Sequence, residues 1–228
     1  MPYTTVLLDL DHTLFDFDAA EEMAFDLTMR AAGIAEPKTV AEPYRRINAE
    51  LWLGVERGEV RPIDVRTLRF ERMFSQLGID ADVAESADLF VRSLGRFGDL
   101  YPGARDLLDV LSGRVRLALV TNGLSEVQRA RIERLGLGGY FDAIVISSEV
   151  DASKPRPEIF DIAFDRLGRP PKDSAVMIGD SLASDIAGGA NYGIDTCWYN
   201  PHRRTAEAAV TITHEVSSLD QIPALVSN

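Results

Sequence analysis

The chain has 228 residues, 46% hydrophobic and 26% charged, a composition typical of a folded globular protein rather than a disordered one. The formal net charge of -12 argues against a nucleic acid polymer as the main partner, because binding to a phosphate backbone requires clustered Lys and Arg. The single cysteine excludes a disulfide within the chain, and no apolar run approaches the roughly 20 residues that span a bilayer. We therefore expect a cytoplasmic protein without a membrane partner.

The first predicted strand covers residues 6–8, close to the N-terminus. The next eighty or so residues show helical periodicity and no strand pattern, with apolar stripes such as Ala20, Ala24, Leu27 and Ala31. We expect residues 16–98 to form a helical cap inserted above the C-terminal end of the first strand. A helical elaboration without a role in the chemistry would show the same pattern.

Beyond residue 98, short apolar runs alternate with amphipathic helices. The predicted strands are residues 117–120, 143–146, 175–178, 196–199 and 210–212. Most are continuously apolar, which is typical of strands buried on both faces of a parallel sheet. The alternation predicts an α/β fold with a Rossmann-like parallel sheet, formed by residues 1–15 and 99–228.

Two carboxylates follow the first strand, at Asp9 and Asp11. Two residues apart on an extended segment, they can face the same side, where their mutual repulsion favours a bound cation. A plain strand-to-loop turn with solvated acids would look the same when this motif is taken alone.

Three further polar motifs follow predicted strands. Thr121, Asn122 and Gly123 offer a hydroxyl, an amide and a glycine N–H that could cradle phosphoryl oxygens, although Asn-Gly is also an ordinary turn. Lys154 lies in a loop stiffened by prolines, where a catalytic ammonium could be held in place.

The fourth motif contains Gly179, Asp180 and Asp185. Gly179 permits a close approach of backbone to ligand, and Asp180 supplies a hard oxygen ligand. Asp185 is consistent with a site role or with an acid favoured in the first turn of a helix. Because ligands of an open parallel sheet bind at the carboxyl ends of its strands, the four motifs together predict one site.

These motifs resemble those of the haloacid dehalogenase superfamily over essentially the whole chain. The matching residues are DxDxT from Asp9 to Thr13, the Thr121 motif, Lys154 in SKPxPxIF, and GDxxxxD from Gly179 to Asp185. The segment from Asp9 to Asp18 most resembles bacterial pyrimidine 5′-nucleotidases of this superfamily. The resemblance implies a Rossmann-like core with an inserted helical cap of the C1 type.

The resemblance also implies the chemistry. Asp9 would attack phosphorus and form an aspartyl-phosphate, and Asp11 would act as general acid and then as general base. Mg²⁺ would be held by the carboxylates of Asp9 and Asp180 and by the main-chain carbonyl of Asp11. Asp185 would support the metal from outside its ligand sphere or orient Lys154.

Substrate binding is implied for a second group of residues. The transferring phosphoryl group would be bound by Thr121, by the backbone near Asn122 and Gly123, and by Lys154. The expected substrate is a small phosphorylated metabolite. Phe15, Phe17 and Trp52 could stack on a nucleobase or pack in the core, and these alternatives stay open.

Asp11 favours a phosphate ester over a haloacid, since an alkoxide leaving group needs a proton and a halide does not. Many members of the superfamily have glycine where this chain has His12, to which no chemistry is assigned. A phosphoglycolate or sugar phosphatase, a phosphomutase, and a catalytically silent phosphate- or protein-binding module remain alternatives. The sequence does not determine the oligomeric state.

Overall fold

The computed structural model describes residues 3–206 and 210–226. The strands within these ranges are β1 (Thr5–Leu8), β2 (Arg116–Thr121), β3 (Ala143–Ile146), β4 (Ala175–Gly179), β5 (Asp195–Tyr199) and β6 (His214–Val216). They form one parallel sheet in the order β3-β2-β1-β4-β5-β6. The predicted α/β fold with a parallel sheet is confirmed.

Helices connect the strands. Their bounds are α1 (Phe17–Ala31), α2 (Lys38–Glu56), α3 (Val65–Leu77), α4 (Val83–Arg96), α5 (Ala104–Leu111), α6 (Ser125–Arg134), α7 (Ser147–Val150), α8 (Pro157–Arg166), α9 (Ala187–Tyr192) and α10 (Pro223–Val226). In the sheet, β2 and β3 lie on one side of β1, and β4, β5 and β6 lie on the other side. The carboxyl end of β1 therefore lies at the point where the strand order reverses, which is where open α/β sheets bind ligands.

The hydrophobic core has two layers against the sheet. On one face, Leu8 and Leu119 pack with Leu108 of α5. On the other face, Leu7 and Met177 lie in one cluster with apolar side chains of α8. The strands are apolar on both sides because both faces are covered, and this explains the continuous apolar runs in the sequence.

A third hydrophobic cluster belongs mainly to α1, α2, α3 and α4. Tyr44, Phe70 and Phe90 form its aromatic centre, with ring centroids 5.3–6.1 Å apart. The cluster extends to Leu124 and Val127, at the beginning of α6. The four helices therefore share a core of their own, and α6 is where that core meets the sheet layer.

One strand prediction is wrong. Residues 210–212 lie outside any strand, and the last strand is β6 (His214–Val216). Thr196 of β5 is bonded to this stretch through hydroxyl groups: its Oγ1 donates to the Thr211 carbonyl, and its N–H donates to Thr213 Oγ1. Side-chain bonds here take the place of a backbone ladder, which begins only at His214.

No helix in the part of the chain that the structure describes is long and apolar enough to cross a lipid bilayer.

Candidate active site

Asp9 lies directly after β1 and is 6% exposed. Its N–H donates to the carbonyl of Ile178 on β4 at 3.0 Å, which fixes the backbone between two strands. Lys154 Nζ donates to Asp9 Oδ1 at 2.6 Å and to the carbonyl of Val120 at 2.7 Å. Thr13 Oγ1 approaches Asp9 Oδ2 at 3.3 Å. The structure therefore joins the first and third motifs in a buried carboxylate–ammonium pair.

Asp180 and Asp185 complete a cluster with Asp9. One oxygen of each residue lies within 4.8 Å of the other two, and we call these three residues the carboxylate cluster. Asp185 Oδ1 lies 2.7 Å from Lys154 Nζ, and Asp185 Oδ2 accepts from the Ser181 N–H at 3.0 Å. Asp185 therefore lies where it can orient Lys154, as expected. The roles of these residues in catalysis stay predictions.

The pKa values in the cluster follow from burial and crowding. Burial, followed by the nearby Asp185, raises the pKa of Asp180 to about 6. Burial alone would lower the pKa of Lys154, but the Asp185 and Asp9 carboxylates outweigh it and raise that pKa above its ordinary value. Lys154 therefore keeps its proton, and its ammonium contacts the carboxylates of Asp9 and Asp185. Asp180 Oδ2 lies 3.7 Å from Arg204 Nη2 instead.

Gly179 makes room for Asp185. A Cβ at Gly179 would lie 2.2 Å from Asp185 Oδ2, far closer than carbon and oxygen can approach. The sequence predicts that the backbone at Gly179 approaches a ligand closely. In the structure it approaches the Asp185 carboxylate closely. The absence of a side chain at the end of β4 allows the turn Leu182–Ile186 to place Asp185 against the strand.

We expect Gly179→Ala to destabilise the fold by about 1–3 kcal/mol, because the added methyl group must displace Asp185 from Lys154. Thermal unfolding measures the effect. Gly139→Ala is the matched control, since a Cβ there meets nothing within 4 Å. Equal melting temperatures for the two variants would show that Asp185 does not depend on this space.

The carboxylate of Asp11 is held apart from this cluster. Arg131 Nη1 donates to Asp11 Oδ1 at 2.7 Å, and Gln128 Nε2 donates to Asp11 Oδ2 at 2.8 Å. Asp11 is expected to hold the metal through its main-chain carbonyl, and this role stays a prediction. Both side-chain oxygens of Asp11 are instead bound by α6.

The second motif is arranged around Lys154 and α6. Thr121 Oγ1 accepts from Gln128 Nε2 at 3.0 Å. The Asn122 side chain forms two bonds with the backbone of Lys154, each 2.9 Å long, and so anchors the lysine loop. The Gly123 N–H already donates to Ser147 Oγ at 3.0 Å, so a role for Gly123 in substrate binding stays a prediction.

His12 adopts a backbone φ of 63°, in the left-handed region that glycine enters without strain. This conformation explains why glycine suits the position. Its ring lies 5.3 Å from that of Phe17, edge to face, and its Nδ1 is 3.9 Å from Asp18 Oδ1. The histidine therefore lines the cavity beside Phe17 and Asp18.

A cavity of about 420 Å³ opens between the carboxylate cluster and the first two helices. This volume lies within the roughly 300–1,000 Å³ of small-molecule sites. Phe17 and Trp52 line the cavity, whereas Phe15 is fully buried in the core. Core packing therefore applies to Phe15. Phe17 and Trp52 also pack against the hydrophobic clusters while they line the cavity, so for them stacking on a base stays a prediction.

A polar network forms part of the cavity wall. Glu21 Oε1 accepts from Tyr44 Oη at 2.9 Å and from Asn48 Nδ2 at 3.0 Å. Arg69 Nη1 donates to Tyr44 Oη at 3.3 Å. Burial raises the pKa of Glu21 above its ordinary value. The helices thus supply both aromatic and hydrogen-bonding groups to the space above the carboxylates.

A family model for haloacid dehalogenase-like hydrolases matches residues 3–193. The chain belongs to this hydrolase family. Pyrimidine 5′-nucleotidase YjjG of Escherichia coli is 34% identical over 229 residues, covering 99% of each chain. Pyrimidine 5′-nucleotidase PynA of Streptococcus pneumoniae is 36% identical over 223 residues, covering 97% of this hydrolase and 94% of the relative. The predicted resemblance to bacterial pyrimidine 5′-nucleotidases is confirmed.

A solved structure supports the same assignment. The HAD-hydrolase YfnB of Bacillus subtilis, in a magnesium-bound crystal form, matches this hydrolase with a TM-score of 0.90 and 33% identity. The match covers 100% of both chains. The fold therefore supports the family assignment.

Sequence patterns did not indicate Arg131, Gln128, Glu21 or Asn48, although all four line the cavity. Arg131 is 0% exposed and Gln128 1% exposed. Polar residues on a helix are usually solvated, so nothing in their spacing distinguished them from surface positions. One feature of the sequence could have indicated them. Because α6 immediately follows the Thr121 motif, its inward face is expected to lie against the site.

Proposed function

We propose that this hydrolase is a Mg²⁺-dependent phosphatase that hydrolyses a small phosphate monoester through an aspartyl-phosphate on Asp9. The observation that carries the proposal is the Asp9 carboxylate, held 2.6 Å from the Lys154 ammonium at the floor of a ligand-sized cavity. The four-motif arrangement and the phosphatase relatives support it.

In the first step, an oxygen of Asp9 forms a bond to phosphorus while the bond from phosphorus to the ester oxygen breaks. Asp11 gives its proton to the departing oxygen and later takes a proton from the water that attacks the aspartyl-phosphate. Lys154 and Thr121 bind the oxygens of the phosphoryl group. Phosphoryl transfer needs charge neutralisation and positioning more than covalent assistance, and a fixed ammonium supplies both.

The residues present fit a magnesium ion. The carboxylate cluster offers hard oxygen donors from Asp9, Asp180 and Asp185, which are the ligands that Mg²⁺ prefers. Burial and the crowding of the carboxylates raise the pKa values of Asp9 and Asp180, and a bound cation would favour their ionised forms. We propose Asp9 and Asp180 as ligands together with the Asp11 carbonyl. When bound, Mg²⁺ would neutralise the charge of the phosphoryl oxygens and of the nucleophile.

The substrate we propose is a nucleoside 5′-monophosphate. Phe17 and Trp52 line the cavity above the phosphate site and can offer an aromatic face to a base. Glu21 and Asn48 lie in the same wall and can provide hydrogen bonds. The relatives named as pyrimidine 5′-nucleotidases favour a pyrimidine base.

We also propose that residues 16–98 act as a cap over residues 1–15 and 99–228. The separate hydrophobic cluster of α1–α4 supports a body with its own core. Arg66 of α3 pairs with Glu126 at the start of α6, which is an ionic contact across the junction, and also with Asp88 on α4 within the cap. Opening and closing of this body would admit substrate and exclude water.

The test is phosphate release from a panel of nucleotides, sugar phosphates and phosphoglycolate, with Mg²⁺ and with EDTA. We expect pyrimidine nucleoside monophosphates to be the preferred substrates and EDTA to lower the rate by about 100-fold or more, reversibly on adding Mg²⁺. Release only from non-nucleotide esters would retain the chemistry and overturn the nucleotidase assignment. No release from any ester would overturn the phosphatase and favour a phosphomutase or a binding module.

A further inference from the structure

Both oxygens of the Asp11 carboxylate are bound by side chains one turn apart on α6. Arg131 donates to Oδ1 at 2.7 Å, and Gln128 donates to Oδ2 at 2.8 Å. The two donors are also linked to each other, since Arg131 Nη1 lies 3.3 Å from Gln128 Oε1. A carboxylate held at both oxygens cannot rotate about its terminal bond without losing two hydrogen bonds, one of them charge-assisted.

Arg131 is held through its Nε and Nη1 atoms, while its buried Nη2 has no hydrogen-bond partner among the described residues. Its side chain is fully buried, and its Nε donates to the carbonyl of Leu94 on α4 at 3.0 Å. Its guanidinium lies over the rings of Phe15 and Phe17, at 4.3 and 5.3 Å from their centroids. The desolvation of a buried guanidinium is costly, and an apolar side chain could fill the same space. The guanidinium adds a charge-assisted bond to Asp11 and a bond to the Leu94 carbonyl, and of these two the bond to Asp11 reaches the site.

Gln128 is equally restrained. It is 1% exposed, and its Nε2 donates to Thr121 Oγ1 as well as to Asp11. One amide group therefore sets the distance between Asp11 and the hydroxyl proposed to bind the phosphoryl group. Gln128 and Arg131 thus hold the Asp11 carboxylate in a fixed position relative to Thr121 through buried contacts.

We propose that Gln128 and Arg131 are positioning residues that aim the Asp11 carboxyl group at the leaving oxygen, an inference that rests on the proposed role of Asp11. Each carboxylate oxygen has two lone pairs, and the two donors occupy one on each oxygen. The transferable proton is therefore carried on one of the remaining lone pairs, whose direction is fixed by α6. As the ester bond breaks, this proton passes to the leaving oxygen.

The test compares two substrates that differ in their need for that proton. A nucleoside 5′-monophosphate releases an alkoxide, which must be protonated, whereas p-nitrophenyl phosphate releases a stable phenolate. We expect Gln128→Met and Arg131→Met to lower kcat/KM for the nucleotide by about 10-fold or more. For p-nitrophenyl phosphate the loss should stay below about 3-fold, since kcat/KM reports the first chemical step.

The matched control is Arg134→Ala. Arg134 lies one turn after Arg131 on α6 and likewise bonds backbone carbonyls at the end of α4, including that of Gly98 at 2.7 Å. Its hydrogen bonds in the described part of the chain go to backbone carbonyls and not to Asp11, so the ratio of the two kcat/KM values should stay within about 2-fold of wild type. Arg131→Lys, which keeps one charged donor, should recover part of the ratio. If Arg131→Met does not fold, Gln128→Met carries the test alone.

Asp11→Asn separates the possible failures. A selective loss for the nucleotide in Asp11→Asn, with unchanged ratios in Gln128→Met and Arg131→Met, would overturn the positioning role and leave the proposed function standing. Equal losses of kcat/KM on both substrates in Gln128→Met and Arg131→Met would also overturn the positioning role, because they would show a general disturbance of the site. An unchanged ratio in Asp11→Asn would overturn the role of Asp11 itself.

Discussion

Asp9→Asn is expected to lower the rate of phosphate release by about 10,000-fold or more. An amide oxygen carries no negative charge and is a poor nucleophile, so the aspartyl-phosphate cannot form. The replacement has nearly the same shape, and Lys154 keeps its contacts with Asp185 and with the Val120 carbonyl. The fold should therefore persist while turnover is lost.

Phosphate release and thermal unfolding of the purified variant measure these two effects. Asp26→Asn is the control, because Asp26 also pairs with a cation, Arg30, but does so on the surface of α1. We expect that control to retain wild-type turnover. Sustained hydrolysis by Asp9→Asn, in a preparation free of other phosphatases, would refute the nucleophile.

Lys154→Met should abolish activity and also destabilise the protein, by about 3–5 kcal/mol. The ammonium is buried and lies 2.6 Å from Asp9 and 2.7 Å from Asp185, so its removal leaves the two carboxylates facing each other without a counter-charge. Urea unfolding measures the loss of stability. Lys38→Met at an exposed position of α2 is the control and should change the free energy of unfolding little.

Mg²⁺ provides a second readout on the same variant. Because the carboxylate cluster then lacks its ammonium, added Mg²⁺ should stabilise Lys154→Met against unfolding, as any ligand that binds only the folded state does. Wild-type stability in Lys154→Met without metal would contradict the charge balance proposed for the cluster. No effect of Mg²⁺ on the variant would contradict the metal site.

The sheet and the main site residues could be predicted because strand burial and strand ends leave local signals. Continuous apolar runs marked β1 to β5, and each polar motif followed one of them. Asp9 and Lys154 are 145 positions apart in sequence, yet parallel topology brings their strand ends to one edge. The strand wrongly predicted at residues 210–212 is explained by Thr196, whose Oγ1 donates to the Thr211 carbonyl where a backbone ladder was expected.

The environment of Asp11 could not be predicted. Arg131 and Gln128 lie on α6, a helix with many charged residues, and only tertiary packing under α4 buries them. Charged residues on a helix are usually solvated, so the sequence of α6 gives no sign that the Arg131 guanidinium is buried. The contact between Gly179 and Asp185 was missed for a similar reason, since it depends on the turn Leu182–Ile186 folding back on β4.

The central claim is that Asp9 becomes phosphorylated, and trapping that residue tests it most directly. Asp11→Asn with p-nitrophenyl phosphate and Mg²⁺ should accumulate the aspartyl-phosphate, because the leaving group needs no proton but hydrolysis needs the missing base. Borohydride converts an aspartyl-phosphate to homoserine, which peptide mass spectrometry locates. We predict homoserine at position 9, with a nitrophenol burst equal to the enzyme present. Modification at another residue, or a burst without modification of Asp9, would contradict the proposal.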